Sequence, residues 1–91
     1  LLIRFLKKFL DDENFLKLSR AVEEKDWQQA LTASHTLKGV CGNLSMKKLY
    51  ELVETQVCLF REERWQEAAD LMPQLGREYE KVCGALRRDL L

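Results

Sequence analysis

The fold of this chain is decided by residues 26–44, which read DWQQALTASHTLKGVCGNL. Asp26 is a typical helix-capping residue, and small or apolar side chains then recur at alternating intervals of three and four residues. Side chains spaced in this way share one face of a helix and pack against neighbouring helices. The positions on that face are Trp27, Ala30, Ser34, Leu37, Cys41 and Leu44. The stretch therefore predicts a long helix in a helical bundle.

The same spacing continues on both sides of this helix. Asp11 or Asp12 separates two short helices before it, and Gly42, Asn43 and Ser45 predict its end and a fresh cap for the next helix. Pro73 predicts a kink in the last helix. The apolar positions of these segments are Leu2, Phe5, Leu6 and Phe9; Phe15, Leu18 and Val22; Met46, Leu49, Val53, Val57 and Phe60; and Trp65, Ala68, Met72, Leu75, Tyr79, Val82, Leu86 and Leu90.

Length and composition predict the fold class. The chain has 91 residues, 46% of them hydrophobic, with only one proline and four glycines, which favours helices within a single domain over residues 1–91. The connections between the predicted helices are short, so neighbouring helices run antiparallel. We therefore expect an all-α protein, an antiparallel up-and-down four-helix bundle with a short N-terminal capping helix. The apolar stripes can all be buried inside one such core, which predicts a monomer.

Charge and cysteine content exclude several classes of function. Fifteen basic and fifteen acidic residues cancel, so no overall field attracts nucleic acid or an anionic membrane, and no apolar run is long enough to span a bilayer. Cys41, Cys58 and Cys83 are an odd number without a CxxC pair, which predicts neither a disulfide framework nor a metal site. Each falls on or near an apolar stripe. We expect three buried, reduced thiols in a cytoplasmic protein, with no metal and no cofactor.

His35 is the only histidine of the chain, and it projects roughly 140° away from the apolar side of its helix, toward solvent. An imidazole is partly neutral at neutral pH, so a ring nitrogen is available as a nucleophile without an activating base. Lys38, one turn along the same face, can offset negative charge on a group that the ring carries. Leu31, at i−4, is the local candidate for an apolar docking contact, with Leu16 or Leu18 of the preceding helix as further candidates.

Gly39 and Gly42 lie on the same side of the helix as His35. A glycine within a helix costs about 1 kcal/mol relative to alanine, so we expect another requirement at these positions. Close approach of a partner's backbone to the imidazole is one such requirement. Gly42 is also explained if it ends the helix, whereas Gly39 lies too far inside for that.

Residues 33–44 closely resemble the signature of the histidine-containing phosphotransfer (HPt) domain family. The shared pattern is His35, two residues, Lys38 and Gly39, then small residues and an Asn-Leu pair near the helix end. The resemblance extends over about residues 5–86. Family members often have a glycine where this chain has Ser45, a difference at the helix junction.

The resemblance implies a phosphorelay in two-component signalling. His35 would accept a phosphoryl group from a receiver-domain aspartate and pass it to an aspartate of a response regulator. Lys38 would stabilise that group, and Gly39, with Gly42 and Leu31, would accommodate the receiver. The chain begins with Leu1, which favours an excised piece of a longer protein such as the C-terminal domain of a hybrid, membrane-anchored sensor kinase.

Two other functions remain open. The first is a non-catalytic helical module that docks a signalling partner, with His35 incidental. The second is a hydrolase, which the sequence disfavours because no carboxylate is placed to assist the histidine. The sequence also has no glycine-rich nucleotide loop and no carboxylate cluster for magnesium, so we expect no autonomous kinase activity.

Overall fold

The structure, a computed structural model, describes residues 2–43 and 46–90. The predicted core position Leu44 and the Ser45 difference lie outside the described residues, as do the side chains of Leu2, Phe5, Asn43 and Leu90. The described chain forms six α-helices. They are α1 (Leu2–Leu10), α2 (Asn14–Glu23), α3 (Trp27–Asn43), α4 (Lys47–Arg61), α5 (Trp65–Asp70) and α6 (Met72–Leu90).

The helices form the predicted antiparallel up-and-down bundle. α2 packs on α3, α3 on α4, and α4 on both α5 and α6, while α1 packs on α6 as the N-terminal capping helix. Side chains from the apolar stripes fill the centre of the bundle. The fully buried members include Phe9, Leu18, Leu37, Leu49, Val53, Phe60 and Leu75. The three-and-four spacing therefore placed the core correctly on every long helix.

The segment predicted as one last helix is two helices. α5 ends at Asp70 and α6 begins at Met72, with Leu71 between them. Pro73 consequently sits in the first turn of α6, where a backbone N–H is not needed for helical bonding. The sequence predicts a kink at Pro73, whereas the structure has a break at Leu71, two residues earlier. The break occurs because proline has no backbone N–H to donate to a carbonyl of the preceding turn.

Two connections at one end of the bundle share the same backbone conformation. Lys25, after α2, has a φ of 56°, and Glu63, after α4, has a φ of 60°. In each case the next residue donates its N–H back into the helix: Asp26 to the carbonyl of Ala21 at 2.8 Å, and Arg64 to that of Leu59 at 2.9 Å. These are Schellman closures, which usually place glycine at the left-handed position.

A tryptophan follows each of these connections by two residues. The rings of Trp27 and Trp65 are parallel, with centroids 5.9 Å apart and an interplanar angle of 1°. Phe60 tilts against both, at 6.4 Å from each. The two closures place the first residues of α3 and α5 side by side at the same end of the bundle. The three aromatic rings therefore contact one another, and this contact fixes the register of the two helices.

The bundle core contains one hydrogen-bonded chain of polar groups. The Ser34 hydroxyl donates to Oε1 of Gln56 at 2.9 Å, and Nε2 of Gln56 donates to the carbonyl of Ala68 at 3.1 Å. Nε2 also lies 3.2 Å from the Met72 sulfur. Ser34 and Gln56 are both fully buried. This chain links α3 to α4 and to the last turn of α5, beside the break before α6.

The cysteine prediction is wrong for one of the three residues. Cys41 and Cys83 are buried thiols, but Cys58 is exposed. Cys58 follows the buried Val57 and so lies about 100° around α4 from it, outside the apolar stripe. Burial, with a smaller effect of Asp12, raises the pKa of Cys41 to about 12, and burial also raises the pKa of Cys83. The two core thiols are therefore protonated at neutral pH.

We expect Lys25→Gly and Glu63→Gly each to raise the free energy of unfolding by about 1 kcal/mol, because glycine adopts a positive φ without a Cβ clash. Urea denaturation followed by circular dichroism measures the change. Lys25→Ala is the matched control, since it removes the same long side chain but keeps the strained conformation. Equal stabilities of the glycine and alanine variants would contradict this account of the connections.

Gln56→Met is expected to lower the free energy of unfolding by about 2 kcal/mol, because it leaves the buried Ser34 hydroxyl and the Ala68 carbonyl without their side-chain partner. Adding Ser34→Ala should recover part of that loss by removing the orphaned hydroxyl. A double-mutant cycle in urea measures the coupling. Additive effects of the two single changes would mean that the hydrogen bond contributes nothing to stability.

Candidate functional site

His35 lies in the middle of α3 on the side that faces solvent. It is exposed, as the helical wheel predicts, whereas its neighbours Ser34 and Leu37 are fully buried. These buried contacts fix the rotation of α3 and therefore the direction in which the imidazole points. No described residue forms a hydrogen bond with the ring, and the His35 side chain is exposed to solvent.

The imidazole borders a shallow groove of about 270 Å³ between α3 and the end of α4. The groove is lined by Leu31, Thr32, His35, Thr36 and Arg61. The two threonine hydroxyls donate to carbonyls of α3 itself, at 3.1 and 3.0 Å. Their donor hydrogens are thus occupied within the helix. Leu31 is only partly buried, so the groove has an apolar wall beside the reactive ring.

A second groove, of about 420 Å³, runs along the other flank between α2 and α3. Thr32 and Thr36 line both grooves, so the two meet next to His35. Among the docking candidates on α2, Leu16 is 49% exposed. Leu18 is fully buried in the core, so the prediction that it could contact a partner is wrong; its place on the apolar stripe of α2 turns it inward.

Two cations lie near the imidazole, one on its own helix and one on α4. Lys38 lies one turn along α3 and is partly exposed, and Arg61 reaches the first groove from α4. Lys17 and Arg20 line the second groove, together with two carboxylates. Within the described part of the chain, none of these four cations forms an ion pair. Their charge is therefore available to an anionic group placed on or near His35.

The two glycines have different surroundings. A Cβ added at Gly39 would meet nothing within 4 Å, so the fold itself does not require glycine there. A Cβ at Gly42 would approach Cε2 of Tyr50 to 3.2 Å, and α3 continues past it to Asn43. Gly42 therefore lies inside the helix and makes room for the Tyr50 ring, rather than ending the helix.

Sequence reasoning missed two residues that shape the site. Neither Arg61, the last residue of α4, nor the buried Gln56 belongs to the sequence pattern that contains His35, Lys38 and Gly39. In the sequence, Gln56 directly precedes Val57, a member of the apolar stripe of α4, and this position indicates that its side chain lies near the core. Arg61 follows Val57 by one helical turn, which indicates that it lies on the same side of α4. Neither position indicates which residue of α3 the side chain contacts, because that contact depends on how α3 and α4 pack.

An exposed imidazole with cations nearby suits a nucleophile that receives and releases an anionic group at a solvent-accessible surface. Among the described residues, no carboxylate is hydrogen-bonded to His35 in the way that orients a hydrolytic histidine. Over residues 2–43 and 46–90, no three His, Cys, Asp or Glu side chains come together where they could hold a metal ion. None of the described helices is both long and apolar enough to cross a membrane.

We expect Gly39→Ala to raise the free energy of unfolding by about 1 kcal/mol, since alanine is the better helix former and its methyl group meets no other atom. Gly42→Ala is the comparison, because the same methyl group must displace Tyr50 and so gains less. Thermal and urea unfolding measure both. A destabilised Gly39→Ala variant would mean that the fold needs the glycine after all.

Comparison with known proteins gives one match. A family model described as the Hpt domain matches residues 4–85. Neither a search of curated proteins nor a search of solved structures gives a significant match. The matched residues include α2 to α5 in full, with both grooves and His35.

Proposed function

The chain belongs to the Hpt domain family, and from that premise we propose that His35 is the residue that carries the phosphoryl group. Histidine phosphotransfer in two-component signalling is the activity that this domain implies. The observation that supports His35 is its position: the chain's single histidine is exposed beside a groove that Arg61 also lines, with Lys38 one helical turn away. No other described feature offers a nucleophile in such a setting.

The proposed reaction transfers the group from a receiver-domain aspartyl phosphate. A lone pair of the neutral imidazole forms the new N–P bond while the acyl O–P bond breaks, and the bonding electrons leave with the aspartate carboxylate. The ring keeps the proton on its other nitrogen. The reverse step, onto the aspartate of a response regulator, regenerates the neutral imidazole. Alignment and charge neutralisation govern such transfers, so the protein needs no general base.

Each neighbour of His35 has a proposed part in this reaction. Lys38 would offset charge on the phosphoryl group from one turn away. Gly39 would let the receiver's backbone approach the imidazole, which agrees with the open space around it. Leu31 would contribute an apolar contact from the groove wall. Gly42 would act indirectly, by allowing Tyr50 to lie against the end of α3.

The partners follow from the same proposal. Hpt domains interact with receiver domains of kinases and of response regulators. We propose that residues 1–91 act as one monomeric domain in the cytoplasm, in the setting of a hybrid sensor kinase. Three free cysteines, Cys58 among them exposed, agree with a reducing compartment.

Phosphotransfer profiling against a panel of phosphorylated receivers tests the function. We expect transfer to the wild-type chain and none to His35→Gln, because the amide has no nucleophilic ring nitrogen. Gly39→Ala should lower the transfer rate by about tenfold or more while keeping the fold, since small misplacements cost much in alignment. Radiolabel on each chain measures both.

Two results would contradict the proposal. Label on His35→Gln would place the acceptor elsewhere. Tight binding of a phosphorylated receiver without transfer to the wild-type chain would instead support a docking module. Gly84→Ala is the matched control, because it adds the same methyl group to a different helix, α6, where the nearest atom lies 4.0 Å away.

A further inference from the structure

Arg61 brings a second cation to His35 from a different helix. It is the last residue of α4, which runs antiparallel to α3. The Ser34–Gln56 hydrogen bond and the contact of Trp27 with Phe60 fix the register of the two helices. That register sets the end of α4 beside the first half of α3. Arg61 accordingly lines the same groove as His35.

The charge of Arg61 is not used within the described structure. The residue is exposed, and no described side chain forms an ion pair or hydrogen bond with it. The adjacent Glu62 is bound instead to Arg64, at 3.2 Å. The positive charge of Arg61 at the C-terminus of α4 interacts favourably with the helix dipole. That interaction does not require the side chain to line the groove beside His35.

On the basis of the proposed function, we propose that Arg61 binds the phosphoryl oxygens of phosphohistidine at His35, from the side opposite Lys38. A guanidinium presents several N–H donors in a plane and matches phosphate oxygens in pairs, whereas an ammonium acts as a point charge. Lys38 approaches along α3 and Arg61 across the groove from α4. The two cations together neutralise a group that carries close to two negative charges.

Phosphoramidate provides a test that needs no receiver. The imidazole lone pair of His35 forms a new N–P bond, the donor's P–N bond breaks, and ammonia leaves with the bonding electrons. We compare the wild-type chain with Arg61→Gln, Arg61→Lys and the control Arg77→Gln. Arg77 is also an exposed arginine, but it lines a different groove with Phe15 and Gly76.

We expect Arg61→Gln to lower the initial rate of labelling about fivefold, with Arg61→Lys between it and the wild type and Arg77→Gln unchanged. Intact mass spectrometry measures the rate. A ³¹P NMR titration of the phosphorylated chains gives a second readout. The ionisation midpoint of the phosphoryl group should rise in Arg61→Gln alone, because a nearby cation favours the dianion.

The outcomes separate this inference from the proposed function. If the wild type is labelled at His35 and Arg61→Gln matches Arg77→Gln in both readouts, the inference is wrong and the relay function stands. If Arg61→Gln slows transfer only from receivers, Arg61 contacts the receiver and not the phosphoryl group, which also overturns the inference. If neither phosphoramidate nor any receiver labels His35, both proposals fail. Circular dichroism melting checks that each variant is folded.

Discussion

The hydrogen-bonded chain from Ser34 through Gln56 to Ala68 is the interaction on which the rest of the structure depends. Its buried hydrogen bonds join residues of three helices, α3, α4 and α5. Apolar contacts alone tolerate small slides and rotations, whereas buried donors and acceptors must meet at hydrogen-bonding distance. These hydrogen bonds therefore select one register of α3 relative to α4. It also supplies a donor to a carbonyl beside the break that Pro73 imposes.

The same hydrogen bonds determine the direction in which the face of α3 with His35 points. Ser34 directly precedes His35, so holding the serine hydroxyl inside the bundle holds the imidazole outside. One side of α3 therefore packs closely in the core, and the side with His35 forms an open surface that this packing holds in place. Gly39 shows the consequence on the outer side: the helix gives up stability at a position where no atom of the fold fills the space. The open space at this position agrees with the proposed approach of a receiver to His35.

The electrostatics of the site agree with a relay and not with a hydrolase. The cations near His35 come from α2, α3 and α4, and carboxylates in the same region, Glu24 and Asp26, lie toward the connection between α2 and α3. The first groove, however, is lined by Arg61 and by no carboxylate, so it carries positive charge in a chain that has no net charge. Such an open surface suits the proposed relay, because the phosphoryl group must leave again for a second partner.

The sequence by itself determined the helical class, the buried faces of the helices, the exposed position of His35 and its relation to Lys38 and Gly39. These follow from the helical repeat, which converts spacing along one helix into direction in space. Only the tertiary structure decided that Gln56 meets Ser34, that Arg61 shares a groove with His35, that Gly42 accommodates Tyr50, and that Cys58 is exposed while Leu18 is not a docking residue. It also decided the left-handed conformations of Lys25 and Glu63, which no glycine signals. Contacts between helices depend on register and rotation, and these are set jointly by all the packed side chains rather than by any local pattern.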